Sequence, residues 1–520
     1  MEQFVEIVTS VNDKINSFVW VTIGLWLLIL TGIIMSFVTG FFQVTHIGHW
    51  MKKTIGGVFH KSAHNKKEKG SVSQFQALCT ALAATIGTGN IAGVAAAIVI
   101  GGPGAVFWMW VAAFFGMMTN YSENILGIFF RRKNKDGEWS GGAMYYLQDG
   151  LGGKNRPKPL QVIGRILAIL FAVCAFLAAF GIGNMGQVNK ITLNIQSAFF
   201  GNMQIEPIFG VIPTIPFIIG IGIMIIGALI IIGGLKRIAA VAEKVVPFMA
   251  ILYVIGALVI ILYHIQSVGP AFLSIFKFAF GAKAIAGGTA GAMFKLAITQ
   301  GCKRGVFSNE AGLGSSVMVH SNSDVKEPVK QGLWGIFEVF ADTFVICSMT
   351  ALVVLTSGYI DLETGNFAAE LAAANNVSDA NLVAKAFGGV FGAPGEWFIA
   401  VAIFLFAFTT VLGWSHYGSK AVEYLINEKA VIVFRIVFVL FMVVGALATS
   451  SLAWDISDTF NGMMMIPNLI GVLSLAPLVY KLTHNYIQRK IKGKTDVEPM
   501  LSFDPEIQKE HAEKVAQGAE

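Results

Sequence analysis

The stretch AATIGTGNIAGVAAA, residues 83–97, sets Gly87, Thr88, Gly89 and Asn90 in the middle of an apolar run from Phe75 to Ile100. Glycine in a helix interior costs about 1 kcal/mol against alanine, so Gly-Thr-Gly predicts that a helix entering here breaks. A half-helix ending near Ala83–Ile86 leaves carbonyls without helical partners, at the negative end of its dipole. Such carbonyls can ligate a small hard cation. A half-helix starting near Asn90 presents free N–H groups and positive potential, which suits a carboxylate. One break can therefore hold a cation and an anion side by side, with Thr88 and Asn90 adding side-chain ligands. The competing reading is a close helix–helix packing face, which small residues serve well but which has no use for Thr88 and Asn90.

The pattern returns about 220 residues later in ITQGCKRGVFSNEAGLGSS, residues 298–316, where Asn309-Glu-Ala311-Gly312 echoes Asn90-Ile-Ala92-Gly93. Two interrupted apolar segments at matching positions of two halves point to the binding site of a secondary transporter.

The elements that must position these residues are membrane spans. Hydrophobic residues make up 55% of the 520-residue chain and charged residues 13%, and the mean hydropathy is +0.67. A soluble domain carries roughly a quarter charged residues, so the chain reads as an all-α membrane protein in a lipid bilayer. Runs of about twenty apolar residues give eleven spans, at 17–41, 71–100, 104–130, 161–199, 211–234, 239–264, 287–318, 329–357, 387–424, 430–449 and 459–482. Residues 270–288 read as an interfacial helix and 495–520 as a soluble tail. The first span is too long for a signal peptide and lacks its cleavage site.

Lysine and arginine set the orientation. Lys52, Lys53, Lys61, Lys66, Lys67 and Lys69 precede the second span, and Arg131, Arg132, Lys133 and Lys135 follow the third. Residues 358–384 hold Asp361, Glu363, Glu370 and Asp379 but no Lys or Arg. With eleven spans the N-terminus then lies outside and the C-terminus in the cytoplasm. The two echoed segments each open a five-span block, and an odd number of spans inverts the second block relative to the first. The expected organisation is one extra N-terminal helix and a basic loop (1–70), a first five-helix repeat (71–265), an interfacial helix with the second repeat (266–485), and a cytoplasmic tail (486–520). The net charge of +6 follows loop topology and gives no nucleic-acid signal. Cys79, Cys174, Cys302 and Cys347 all fall in apolar stretches without CxxC spacing, which argues against a disulfide framework or a zinc site.

With these segments in place, GTGNIAGVAAAI, SGGAMYYL (140–147), GVFSNEAGLGS (305–315) and GWSHYG (413–418) resemble the alanine or glycine:cation symporter family over roughly residues 17–485. The resemblance implies the inverted-repeat fold of the neurotransmitter:sodium symporters and sodium-coupled uptake of small neutral amino acids. It makes the Ala83 and Ile86 carbonyls sodium ligands, joined by the hydroxyls of Thr409 and Thr410, whose alternative use is to bond their own helix carbonyls. It places Thr88, Gly89, Asn90, Gln187, Phe307 and Trp414 around the substrate. Trp414 lies one turn beyond Thr410 on the same face, with packing as its plainer reading. Asn184 shares a face with Gln187 and either joins it or bonds between helices, and Phe294 either extends the pocket or packs. No cofactor beyond the coupling ion and no obligatory protein partner are expected, and the composition fits a bacterial plasma membrane.

Charged residues inside spans are functional candidates. Glu338 and Asp342 share one helix face, either carrying a proton or a second ion, or pairing with Lys295, Lys303 or Arg304. Glu310 is placed to cap the half-helix after the second break, and Glu123 to pair near Arg131–Arg132 or to gate. The rival transport reading is proton coupling through Asp342 or Glu338, and a larger substrate such as glutamine is the rival in size. An enzyme would need a nucleophile–base pair, a metal cluster or a cofactor motif, and no HExxH or GxSxG occurs. A channel would want an open pore, and ATP drive a GxxxxGK[ST] loop, which is absent from the sequence.

Overall fold

A computed structural model describes residues 2–58, 70–135, 137–201, 203, 205–208, 210–280, 288–368, 381–448 and 452–516. The basic positions Lys61, Lys66, Lys67 and Lys69, and the acidic positions Glu370 and Asp379, lie outside the described residues.

The chain is helical apart from one antiparallel ladder, β1 (Arg132–Lys133) on β2 (Trp139–Ser140), and isolated bridges. In chain order the main helices are α1 (Glu6–Val38), the broken pair α2 (Gln74–Thr85) and α3 (Gly89–Gly101), α4 (Gly104–Phe129), α5 (Lys158–Phe200), α6 (Thr214–Ile231), α7 (Gly234–Tyr263) and α8 (Ile265–Ala279). They continue as α9 (Gly288–Asn309), the one-turn α10 (Val317–His320), α11 (Pro328–Thr356), α12 (Leu382–Phe391), α13 (Ala393–Leu425), α14 (Ala430–Leu447), α15 (Leu452–Ser474), α16 (Ala476–Ile491) and α17 (Pro505–Ala516). Each predicted span overlaps one or more of these helices. Among the described residues seven helices are long and apolar enough to cross a membrane, or up to nine when each bent pair counts as one span. The third and seventh predicted spans, α4 and α9, are helical but more polar: α4 carries Asn120, Glu123 and Asn124, and α9 carries Lys295, Lys303 and Arg304.

Several predicted boundaries need correction. The ninth predicted span, 387–424, merges α12 and α13, which part at Gly392 with φ +66°. The eleventh, 459–482, is bent by 59° between α15 and α16, with Leu475 between them and a proline at the start of α16. The interfacial helix begins at Ile265 and ends at Ala279, and residues 281–287 of its predicted range lie outside the described residues. The tail is not free: Phe503 N–H bonds the Phe129 carbonyl at 3.1 Å, its ring meets Phe130 at 5.2 Å, and Leu501 is buried. The tail's apolar residues could find the end of α4 only through tertiary contacts, which local polarity does not encode.

Around the break, α13 is the most enclosed of the long apolar helices. It packs against α2, α5, α7 and α14. On the periphery, Ile225 and Leu229 of α6, Phe248 and Ile251 of α7, and Val433 and Leu440 of α14 are exposed. Apolar faces this extensive suit lipid rather than water.

Candidate functional site

The first break forms where the glycines predict it. A capping box starts α2: Ser73 Oγ accepts from Gln76 N–H at 3.1 Å, and Gln76 Oε1 accepts from Ser73 N–H at 3.2 Å. The helix runs to Thr85 and α3 begins at Gly89, turned by 54°. Two donors explain what the break exposes. In a continuing helix, each N–H bonds the carbonyl four residues back, so Gly87 would serve Ala83 and Asn90 would serve Ile86. Instead Gly87 N–H goes to Asn90 Oδ1 at 2.9 Å, and Asn90 N–H goes to the Gly87 carbonyl at 3.3 Å. Both carbonyls assigned to a cation are thus those whose helical donors are diverted.

Asn90 also ties the break to α11. Its Nδ2 donates to Asp342 Oδ1 at 2.6 Å, while Asp342 Oδ2 accepts from Ser308 Oγ at 2.8 Å and Thr343 Oγ1 at 2.9 Å. Asn90 and Asp342 are both fully buried. The expectation that Asp342 and Glu338 pair with basic residues of α9 fails. Lys303 pairs with Asp458 of α15 at 3.0 Å, and Glu338 Oε2 lies 2.9 Å from His320 Nε2.

Beside the break is a small, partly enclosed cavity. Gly87 and Gly89 line it from the break, Gln187 from α5, and Phe307 from α9. Thr410 and Trp414 line it from α13, and Glu310 closes it from the second break. A Cβ on Gly87 would sit 2.5 Å from Thr410 Oγ1, and one on Gly183 2.5 Å from the Trp414 side chain. Alanine at either position would fill the space on which the cavity depends.

Of the residues assigned to substrate, the structure brings Gly89, Gln187, Phe307 and Trp414 together on the wall. Thr88 and Asn90 stand behind it: Thr88 Oγ1 donates to Gln187 Oε1 at 3.0 Å and holds that amide in place. Asn184 bonds between helices, to the Phe438 carbonyl at 2.6 Å, and Phe294 packs edge-on against Trp108. The paired threonines differ. Thr410 faces Gly87, whereas Thr409 Oγ1 lies 3.6 Å from Met249 Sδ. Both hydroxyls donate to the Phe406 carbonyl, which uses their hydrogens and leaves oxygen lone pairs available.

The second break falls inside the predicted stretch 298–316, after α9 has continued through Gly301 and Gly305 to Asn309. It unwinds at Glu310, Gly312 and Gly314, with φ of +55°, +91° and +73°. Glu310 does not cap the next helix. Its Oε1 accepts from Trp414 Nε1 at 3.0 Å and its Oε2 from Ser315 Oγ at 2.6 Å. Glu123 is likewise not paired with arginine: it accepts from Asn468 Nδ2, which also donates to the Gly312 carbonyl at 2.9 Å. Arg131 instead donates to the Ser321, Ser323 and Val325 carbonyls, and Arg132 pairs with Asp149. Sequence reasoning flagged the buried acids because charge inside a span is rare. It missed Asn468 altogether, since one asparagine in an apolar run carries no sign of the loop it holds.

A model of the sodium:alanine symporter family matches residues 5–500. The chain is 42% identical over 474 residues to the sodium/alanine symporter AgcS of Methanococcus maripaludis, covering 91% of this chain and 96% of that one. It is 34% identical over 498 residues to the probable sodium/glutamine symporter GlnT of Bacillus subtilis, covering 96% and 94%. It is 34% identical over 497 residues to the putative sodium/proton-dependent alanine carrier protein YrbD of the same organism, covering 95% and 94%. The fold is similar to that of MhsT, crystallised in complex with L-phenylalanine, with a TM-score of 0.51 at 13% identity over 80% of this chain and 99% of that one. A family model that spans nearly the whole chain, and relatives matched along almost their full length, mean that the chain belongs to the sodium:alanine symporter family.

Proposed function

We propose that this protein is a sodium-coupled secondary active symporter that imports small neutral amino acids, alanine and glycine, by alternating access. The observation that carries the reading is the diversion of the Gly87 and Asn90 N–H groups away from Ala83 and Ile86. It leaves carbonyls for a hard cation, which takes oxygen ligands, beside Thr410 and a small cavity. Sodium at Ala83, Ile86, Thr409 and Thr410 then sits next to a substrate held by Gly89, Gln187, Phe307 and Trp414, with Thr88 and Asn90 as supporting ligands. Eleven spans in a bacterial plasma membrane, one preceding a 5+5 inverted repeat, place both breaks near the midplane, with the N-terminus outside and the C-terminus cytoplasmic. Binding of both ligands favours rocking of the second, third, seventh and eighth spans against the fourth, fifth, ninth and tenth.

Proton coupling has one specific support, the Asp342 carboxylate bonded to Asn90 at the break. Uptake of radiolabelled alanine into proteoliposomes, with voltage clamped and sodium and proton gradients imposed separately, decides between the two. Sodium-driven uptake supports the proposal; uptake driven by protons alone transfers the coupling role to Asp342 or Glu338.

Two variants test the parts. Thr410→Val keeps the shape but removes the hydroxyl facing Gly87, and should raise the sodium concentration for half-maximal uptake about tenfold, the scale of one lost hydrogen-bond-strength contact. Thr409→Val should do less, because that hydroxyl lies against Met249 Sδ and is the weaker of the two proposed ligands; no effect at all would leave Thr410 as the one hydroxyl on the ion. Phe307→Ala should let glutamine compete with labelled alanine, because methylene-sized differences in a pocket are worth ~1–3 kcal/mol. An unchanged competition series would return that ring to packing.

A further inference from the structure

We propose that Glu310 anchors the ammonium group of the amino-acid substrate, an inference that rests on reading the cavity as the amino-acid site. Among the described residues that line the cavity, Glu310 is the one with an ionisable side chain. Among the described residues no basic side chain forms an ion pair with it, and Glu338 and Asp342 nearby are acidic. A buried carboxylate is costly without a cation, and a zwitterionic amino acid entering the cavity brings one.

The remaining geometry agrees. A carboxylate offers about four acceptor sites; Glu310 takes Trp414 Nε1 on one oxygen and Ser315 Oγ on the other, with the Tyr417 hydroxyl also within reach. These partners are neutral donors, so they hold the group in place and leave acceptor capacity toward the cavity. Glu310 is one of two non-glycine residues described with positive φ, a conformation that longer side chains rarely adopt. Strain of this kind is kept where the surrounding structure needs the side chain in one place. The substrate carboxylate then takes the opposite pole, the positive end of α3, which begins at Gly89 on the cavity wall. Trp414, by bonding Glu310, becomes part of the same anchor, which links the second break to α13.

The test compares alanine with lactate, which replaces the ammonium by a hydroxyl, as competitors of labelled alanine on the full-length protein at saturating sodium. Hydrogen bonds to charged groups are worth ~1.5–3 kcal/mol, so Glu310→Gln should weaken alanine by about 10- to 150-fold while leaving lactate unchanged or improved. The sodium-induced rise in melting temperature should persist, and it reports that the variant is folded. An unchanged alanine-to-lactate ratio overturns the proposal. So does a variant that keeps alanine affinity but loses its sodium response or its pH dependence, since the carboxylate then serves an ion or a proton. If Glu310→Gln gives no folded protein, Glu310→Asp keeps the charge but withdraws it, and should lower alanine affinity while preserving selectivity over lactate. Wild-type protein that binds no amino acid would instead remove the proposed function itself.

Discussion

Asn90→Ala should reduce sodium-driven alanine uptake about 100-fold or more, because one side chain holds the first break open from both ends. Its Oδ1 occupies Gly87 N–H at 2.9 Å, and its Nδ2 occupies Asp342 Oδ1 at 2.6 Å. Truncation frees Gly87 N–H to return to the Ala83 carbonyl, four residues back, which consumes a proposed cation ligand. It also strips a donor from a buried carboxylate. A hydrogen bond to a charged group contributes ~1.5–3 kcal/mol, and the unsatisfied partner adds its own desolvation penalty, which together reach the 100-fold range. Uptake in proteoliposomes and thermal melting in detergent, measured on the same preparation, separate loss of the site from loss of the fold. Uptake within threefold of wild type would mean that the break does not depend on Asn90.

The first break was legible in the sequence because its cause is local. Gly-Thr-Gly weakens a helix wherever it sits, and Asn90 three residues beyond Gly87 is within reach of the freed N–H. The second was legible on the same grounds, since the chain unwinds at Glu310, Gly312 and Gly314 just after Asn309. However, Gly301 and Gly305 of the same stretch stay helical and face α4, where a Cβ on Gly301 would run into the Ala105 carbonyl. Those glycines serve close packing, the use that small residues have between membrane helices. Partners distant in the chain were the least legible. Lys303 chooses Asp458 over Glu338 or Asp342, and Glu310 meets Trp414, because tertiary packing and not spacing decides which helix faces which. Periodicity located the buried charges as exceptions to an apolar pattern without naming what satisfies them. The bend at Leu475 was missed for a related reason: α15 and α16 each look apolar, and the angle between them depends on their neighbours.

Gly413→Val should abolish transport while the chain still folds, because the constraint at this position is backbone against backbone. A Cβ on Gly413 would lie 2.5 Å from Ala84 Cβ, 2.9 Å from Ala84 Cα and 3.0 Å from Ala84 N. No side-chain rotation relieves those contacts, so α13 must move away from α2. That movement separates Thr410 and Trp414 from Gly87 and the carbonyls of Ala83 and Ile86, and dismantles cation and substrate contacts together. Overpacking in a close-packed interior typically costs ~1–3 kcal/mol, which a large helical protein can absorb. The functional loss should be larger, since displacements near 1 Å at a positioned site are worth about 100-fold. Gly389→Ala is the matched control: nothing lies within 4 Å of its added Cβ, so its uptake and melting temperature should match wild type. Gly413→Val uptake close to that of the control would show that α13 need not touch the broken helix for coupling, and the cation would then have to take its ligands from α2 and α3 alone.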